Sequence, residues 1–255
     1  MTGSATATDK FRAILVLAAT LGTIAFNWLA ADGSVGGVTP ADISARYLTP
    51  ATPADYSFAI WTLIYFGMLV FGIYQLLPSN LVRFRKVRSL YILSCALNCG
   101  WIFVWVSDQI VISFVLIILL TACLLLINLN LRTTGYWTVK APFEVYFGWV
   151  TAAAFVNSFV LLKYLNVELS ATGSTVTAVA LILLAGLVGV LVRLRLTAHL
   201  YPLAIAWALT AIAVKQSGQT LIIVACATGV VACLIATLSF VVNLPSSSTR
   251  ENPPA

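Results

Sequence analysis

A chain of 255 residues that is 61% apolar and 9% charged, with a mean hydropathy of +1.00, has too few charges to cover a soluble surface, where about a quarter of residues are normally charged. The composition predicts an all-α, polytopic integral membrane protein, since an apolar run of about 20 residues crosses hydrocarbon as a helix. The net charge of +6 is accounted for by topology, and nothing else in the sequence supports a nucleic-acid partner.

Eight candidate spans follow one another: 11–31, 56–77, 88–107, 110–131, 142–164, 174–195, 199–215 and 219–243. The first begins after Asp9, Lys10 and Arg12 and superficially resembles a signal peptide. However, "NWLAADGS" gives only a loose cleavage site and the run is long for a signal sequence, so it is read as a retained span. The connection 32–55, "DGSVGGVTPADISARYLTPATPAD", is the longest, with Pro40, Pro50 and Pro53 in its later part. A loop of this length is expected either to cover a site or to serve as a flexible connector.

The second span carries "FAIWTLIY", with Trp61 and Tyr65 one turn apart. The third carries "ALNCGWIFVW", in which Asn98, Trp101 and Trp105 share one helix face. In the fifth, "WVTAAAFVN", Trp149, Ala153 and Asn157 run along one side, and Asn27 with Trp28 near the end of the first makes a fourth stripe. The segment 165–175 separates five helices from three. The last three spans are rich in Ala, Val, Leu and Gly, and the seventh is short and holds Pro202. The spacings Ala185/Gly189 and Ala225/Gly229 suit close helix packing, within the chain or between chains. The chain thus divides into a five-helix module (1–165), a three-helix extension (166–245) and a disordered tail (246–255); residues 1–9 are also expected to be disordered.

With the N-terminus cytoplasmic and the spans alternating, 11 of the 14 basic residues fall on the inner side, leaving Arg46, Lys163 and Lys215 outside with Asp32, Asp42, Asp55, Asp108 and Glu168. This agrees with the positive-inside rule and predicts both termini in the cytoplasm. A bacterial plasma membrane is the expected location, an internal membrane the alternative.

Intramembrane polar side chains face the bundle interior, a partner helix or a cavity. Taken singly, each asparagine can bond across a helix interface, and Trp28 and Trp105 lie close enough to span ends to be interfacial anchors. Taken together, inward aromatics beside Ala and Gly describe a pocket for a flat hydrophobic ligand. Catalytic chemistry is nearly absent, so no enzyme is expected. His199, the only histidine, is expected at the inner end of the seventh span. Glu144, the only acid within a span, is placed in that span's first turn, where it either favours the helix N-terminus or lies in the headgroup region. The five cysteines (Cys95, Cys99, Cys123, Cys226, Cys233) read as small packing residues.

These stretches resemble the TspO/MBR family of tryptophan-rich sensory proteins and translocator proteins over roughly the first 165 residues. "FAIWTLIY" resembles its second-helix tryptophan–tyrosine motif, "ALNCGWIF" its third-helix Asn–Trp pattern, and "WVTAAAFVN" its fifth-helix signature. The resemblance implies a five-helix bundle whose pocket, open toward the first loop, takes tetrapyrroles such as porphyrins and in some members sterols. By matched position, Trp61, Tyr65, Asn98, Trp101, Trp149, Ala153 and Asn157 would line or support it. It makes a tetrapyrrole the candidate ligand; no cofactor is expected to be required, and packing of the small-residue spacings between chains would give a homodimer. The chain departs from the family pattern in lacking the second-helix proline, in keeping only Pro142 before the fifth-helix tryptophan, and in its three additional spans. Two rival readings stand beside a binding protein: a permease for a small solute, and an assembly partner.

Overall fold

The computed structural model describes residues 4–167 and 169–239, so the tail expected over 246–255 lies outside the described residues. Among the described residues the chain forms α1 (Ala7–Ala31), α2 (Pro40–Arg46), α3 (Ile60–Tyr74), α4 (Arg85–Val106), α5 (Ile110–Leu131), α6 (Trp137–Tyr164), α7 (Ala171–Leu196), α8 (Tyr201–Lys215) and α9 (Thr220–Leu238), with no strand. Seven of the helical segments are long and apolar enough to cross a bilayer. Their exposed faces carry large apolar side chains such as Leu21, Phe66, Val115 and Leu187, as contact with lipid requires.

Five helices close into a ring through the pairs α1/α4, α4/α5, α5/α6, α6/α3 and α3/α1. Polar bonds across the interior fix their register: Thr20 Oγ1 meets the Tyr91 hydroxyl at 2.6 Å, and Asn27 Nδ2 donates to Asn98 Oδ1 at 2.8 Å. Gly67 lets α3 approach α6, since a Cβ there would lie 2.6 Å from Pro142 Cβ. Helices α7, α8 and α9 form a second cluster, joined to the ring mainly where α8 packs on α6. The small residues of α7 and α9 are used within the chain: Gly186 faces Gly229, and Gly189 faces Cys233.

Three details differ from the sequence expectations, and a fourth, the shortness of α8, agrees with them. Residues 7–9 are helical, because Thr6 and Asp9 form a capping box and Asp9 pairs with Arg85 at 2.5 Å. The long loop contains α2, started by a second capping box between Thr39 and Asp42 with Pro40 at its first position. Helix α6 begins at Trp137, five residues before the expected start, and takes Pro142 inside it. Helix α8 has only 15 residues, which span about 22 Å against a hydrocarbon thickness of about 30 Å. It nonetheless runs from the end of the bundle that holds Glu144 to the end that holds Asp55.

Arg88 is the largest fully buried side chain among the described residues. Among the described residues it has no carboxylate partner; Nε donates to Gln75 Oε1 at 2.7 Å, and the Nη nitrogens to the carbonyls of Leu81, Gln75 and Asn80 at 2.6–3.3 Å. It thereby satisfies carbonyls at the end of α3 and in the turn that follows. Arg88→Leu strips these acceptors of their donors, and each one left buried and unpaired costs about 1–3 kcal/mol. The expected result is a thermal midpoint in detergent lowered by several degrees, measured by circular dichroism. Arg132→Leu, at an exposed position, should leave it unchanged.

Candidate functional site

At the end of the ring beneath α2 lies a cavity of about 680 Å³, within the range of small-molecule sites. Its floor is built where α3, α4 and α6 bring their aromatic stripes together. Trp61 is the hub. Its ring stacks on Tyr65 at 5.5 Å (19°), tilts against Trp101 at 6.2 Å, and meets Tyr146 and Trp149 edge-on at 6.0 and 6.4 Å. Trp101 in turn stacks on Trp105 at 6.4 Å. Trp101 and Trp149 are 5% and 4% exposed, whereas Trp28, at the mouth, is 72% exposed.

Of the residues singled out from sequence, Trp61, Tyr65, Trp101, Trp149, Ala153 and Asn157 line this cavity, and Asn98 does not. Asn98 is fully buried behind the wall, where its Oδ1 accepts from Asn27, itself a lining residue. Asn157 donates to Ala153 O at 3.1 Å and accepts from Ser113 at 3.4 Å. Asn98 Nδ2, Trp101 Nε1 and Trp149 Nε1 are buried donors with no hydrogen-bond acceptor among the described residues. Among the described residues, Asp55 is the one charged residue in the wall.

The cover is the loop between α1 and α3. Thr39, Pro40, Ala41 and Ser44 of the α2 region line the cavity from above, and Pro53, Asp55 and Phe58 from the side. Gly33, Gly36 and Gly37 adopt φ of +82°, +80° and +76°, which L residues rarely take, and turn the chain back over the bundle. Trp105 is no interfacial anchor: it is 5% exposed and its Nε1 donates to Pro40 O at 3.1 Å. Arg46 and Tyr47 both bond Asp108, at 2.5 and 2.9 Å, tying α2 to the end of α4. Burial, then the Asp108 carboxylate, pushes the Tyr47 phenol above its ordinary range, so it stays a donor.

The later part of the cover is strapped to α8. Ala54 N–H donates to Ala211 O at 2.9 Å, Trp207 Nε1 to Ser57 O at 3.0 Å, and Gln216 Nε2 to Thr49 O at 3.1 Å. Tyr56 packs edge-on against Trp207 at 5.4 Å, and Ala208 forms part of the cavity wall. The three-helix extension therefore contributes directly to the site. Sequence reasoning placed none of these residues there. Ala208 is a small residue among many, while Trp207 is the lone tryptophan of the last three spans and belongs to no motif.

The charged residues of the opposite end do not reach this cavity. Glu144 lies two turns inside α6, not in its first turn, and is fully buried. It does favour a helix N-terminus, but that of α8: its Oε2 accepts the Leu200 N–H at 2.8 Å. The cysteines are free thiols, buried except for the partly buried Cys99.

A protein-family model described as TSPO-like protein matches residues 13–241. The match runs on through α7, α8 and α9, well past the first 165 residues that carry the motif resemblance. No curated protein and no solved structure matches the chain.

Proposed function

The chain belongs to the TSPO-like protein family, and from that premise we propose that it binds a flat hydrophobic ligand, a tetrapyrrole such as a porphyrin, in the cavity beneath α2, for sensing or transfer. The observation that carries this reading is that five of the seven tryptophans line that one cavity. Indole faces offer a large apolar surface that needs little ordering on binding, and offset stacking on a flat ring system adds to simple burial.

The ligand's ring lies against Trp61, Trp101 and Trp149. Asn157 and Asn27 supply amide groups at the wall, and Asn98 acts by holding Asn27 in place. The unpaired indole N–H groups of Trp101 and Trp149, both residues of the wall, suit a ligand with acceptor atoms at its rim. The cover and α8 exclude lipid from above and from the side of the extension. The ion pairs and straps of Arg46, Lys163 and Lys215 gather at the cover end, and those of Asp9, Arg85 and Lys140 at the other. This grouping supports an orientation with the cavity facing outward and both termini cytoplasmic, in a bacterial plasma membrane.

The test compares the purified protein with Trp149→Phe and Asn157→Leu in a protoporphyrin titration followed by tryptophan fluorescence. Both variants should bind more weakly, by about tenfold for a lost contact near 1.4 kcal/mol, while staying helical by circular dichroism. Unchanged binding in both would remove the cavity from the reading. A solute flux in proteoliposomes that these substitutions abolish would favour a permease instead.

A further inference from the structure

The end of the bundle opposite the cavity holds a cluster of charges that ligand binding does not use. It forms where α6, α7 and the 197–200 turn meet. Glu144 is fully buried, with Oε2 taken by the Leu200 N–H and Oε1 without a hydrogen bond, 3.7 Å from Lys140 Nζ. Lys140 gives its hydrogen bonds to the Thr197 carbonyl and hydroxyl at 2.9 and 3.1 Å. Arg193 of α7 is 7% exposed, yet among the described residues its guanidinium has no hydrogen-bond or ion-pair partner, and its Nε is buried.

Two cations therefore face one carboxylate. His199 does not add to the positive charge at neutral pH, because burial, then the charges of Arg193 and Lys140, push it below its ordinary range. The excess is one positive charge, held on a nearly buried guanidinium. A charge taken out of water without a partner is among the most costly arrangements a protein can hold. A planar guanidinium is also the side chain best matched to two oxygens of one phosphate.

The surroundings say where that phosphate comes from. The His199 ring lies 5.9 Å from Trp137, which is 51% exposed at the start of α6, a position typical of the membrane–water interface. On either side of Arg193 along α7, Leu191 and Leu194 are 45% and 59% exposed on the apolar outer surface. A lipid at this end would lay its chains on the apolar outer faces of α7 while its headgroup reaches the cation at the junction.

We infer that Arg193, with Lys140 behind it, binds the phosphate of an anionic lipid headgroup at the junction of α6, α7 and α8. Bound there, the lipid bridges the extension to the five-helix ring at the end opposite the cover. Basic recesses between helices at this depth are a recurrent way to hold such lipids.

The experiment uses the full chain in detergent, with thermal unfolding and native mass spectrometry after addition of phosphatidylglycerol, phosphatidylcholine or inorganic phosphate alone. Phosphatidylglycerol should raise the midpoint by several degrees and give a saturable one-to-one adduct, whereas phosphatidylcholine and free phosphate do neither. Arg193→Leu should abolish the shift and the adduct. Arg195→Leu, the same charge change at an exposed position of the same helix end, should keep both. Arg193→Lys, which retains the charge but not the fork, should keep the adduct with about tenfold weaker retention. The inference is overturned if Arg193→Leu responds to phosphatidylglycerol as the wild type does, or if the wild type takes up both lipids equally. Should Arg193→Leu fail to fold, the wild-type lipid comparison and Arg193→Lys still decide the matter.

Discussion

Trp61→Ala is expected to weaken protoporphyrin binding by about 30-fold or more, the factor that corresponds to the 2 kcal/mol of a binding hot spot. Trp61 touches Tyr65, Trp101, Tyr146 and Trp149, more rings than any other residue of the cavity. Truncating it removes a stacking surface and also frees its neighbours to collapse into the space, so the loss exceeds that of one contact. Because Trp61 is only partly buried and lines open space, the cost to the fold is smaller than for an indole sealed in a core. Trp28→Ala is the internal comparison. That side chain is 72% exposed at the mouth, and its loss should change binding by no more than about threefold. Fluorescence titration with circular dichroism on the same samples separates the two effects.

Gly148→Leu should separate α8 from α6 and lower the thermal midpoint. A Cβ at position 148 would lie 2.5 Å from the Tyr201 carbonyl oxygen and 2.9 Å from Ala204 Cβ. The first of these is backbone, which cannot swing aside, so the helices must part. Overpacking of a close contact costs about 1–3 kcal/mol when side chains can adjust, and this site has less room to do so. The damage should extend to the cavity, because α8 carries Ala208 and the straps to Thr49, Ala54 and Ser57. Hydrogen exchange over residues 49–57 is therefore expected to rise together with the loss of stability. Gly22→Ala, where no atom lies within 4 Å of the new Cβ, should be neutral or slightly stabilising.

Much of this architecture can be read from residue order. Apolar runs place the long helices to within a few residues, because lipid demands continuous hydrophobicity and leaves little freedom in where a span begins. The aromatic stripes are equally legible, since spacings of three and four residues determine what shares a helix face. Which neighbour that face meets is not a local property. Asn98 shares its stripe with Trp101 and Trp105, yet the way α1 packs on α4 turns it toward Asn27 and away from the cavity. Glu144 likewise caps a helix 56 positions along the chain, which no local pattern can announce. Two features were within reach. The sequences "TATD" and "TPAD" are capping boxes, and they mark the starts of α1 and of α2 within the cover. The role of α8 was not within reach, because Ala208, Ala211 and Gln216 carry no signature and act only through where the chain places them.

The measurement that tests the account most directly is a protoporphyrin titration of the wild-type protein in lipid nanodiscs, set against protein-free discs of the same composition. An aromatic cavity that serves as the ligand site predicts saturable quenching of tryptophan fluorescence at one ligand per chain. Uptake that rises linearly and equally in both kinds of disc would contradict it, leaving the cavity without a tetrapyrrole.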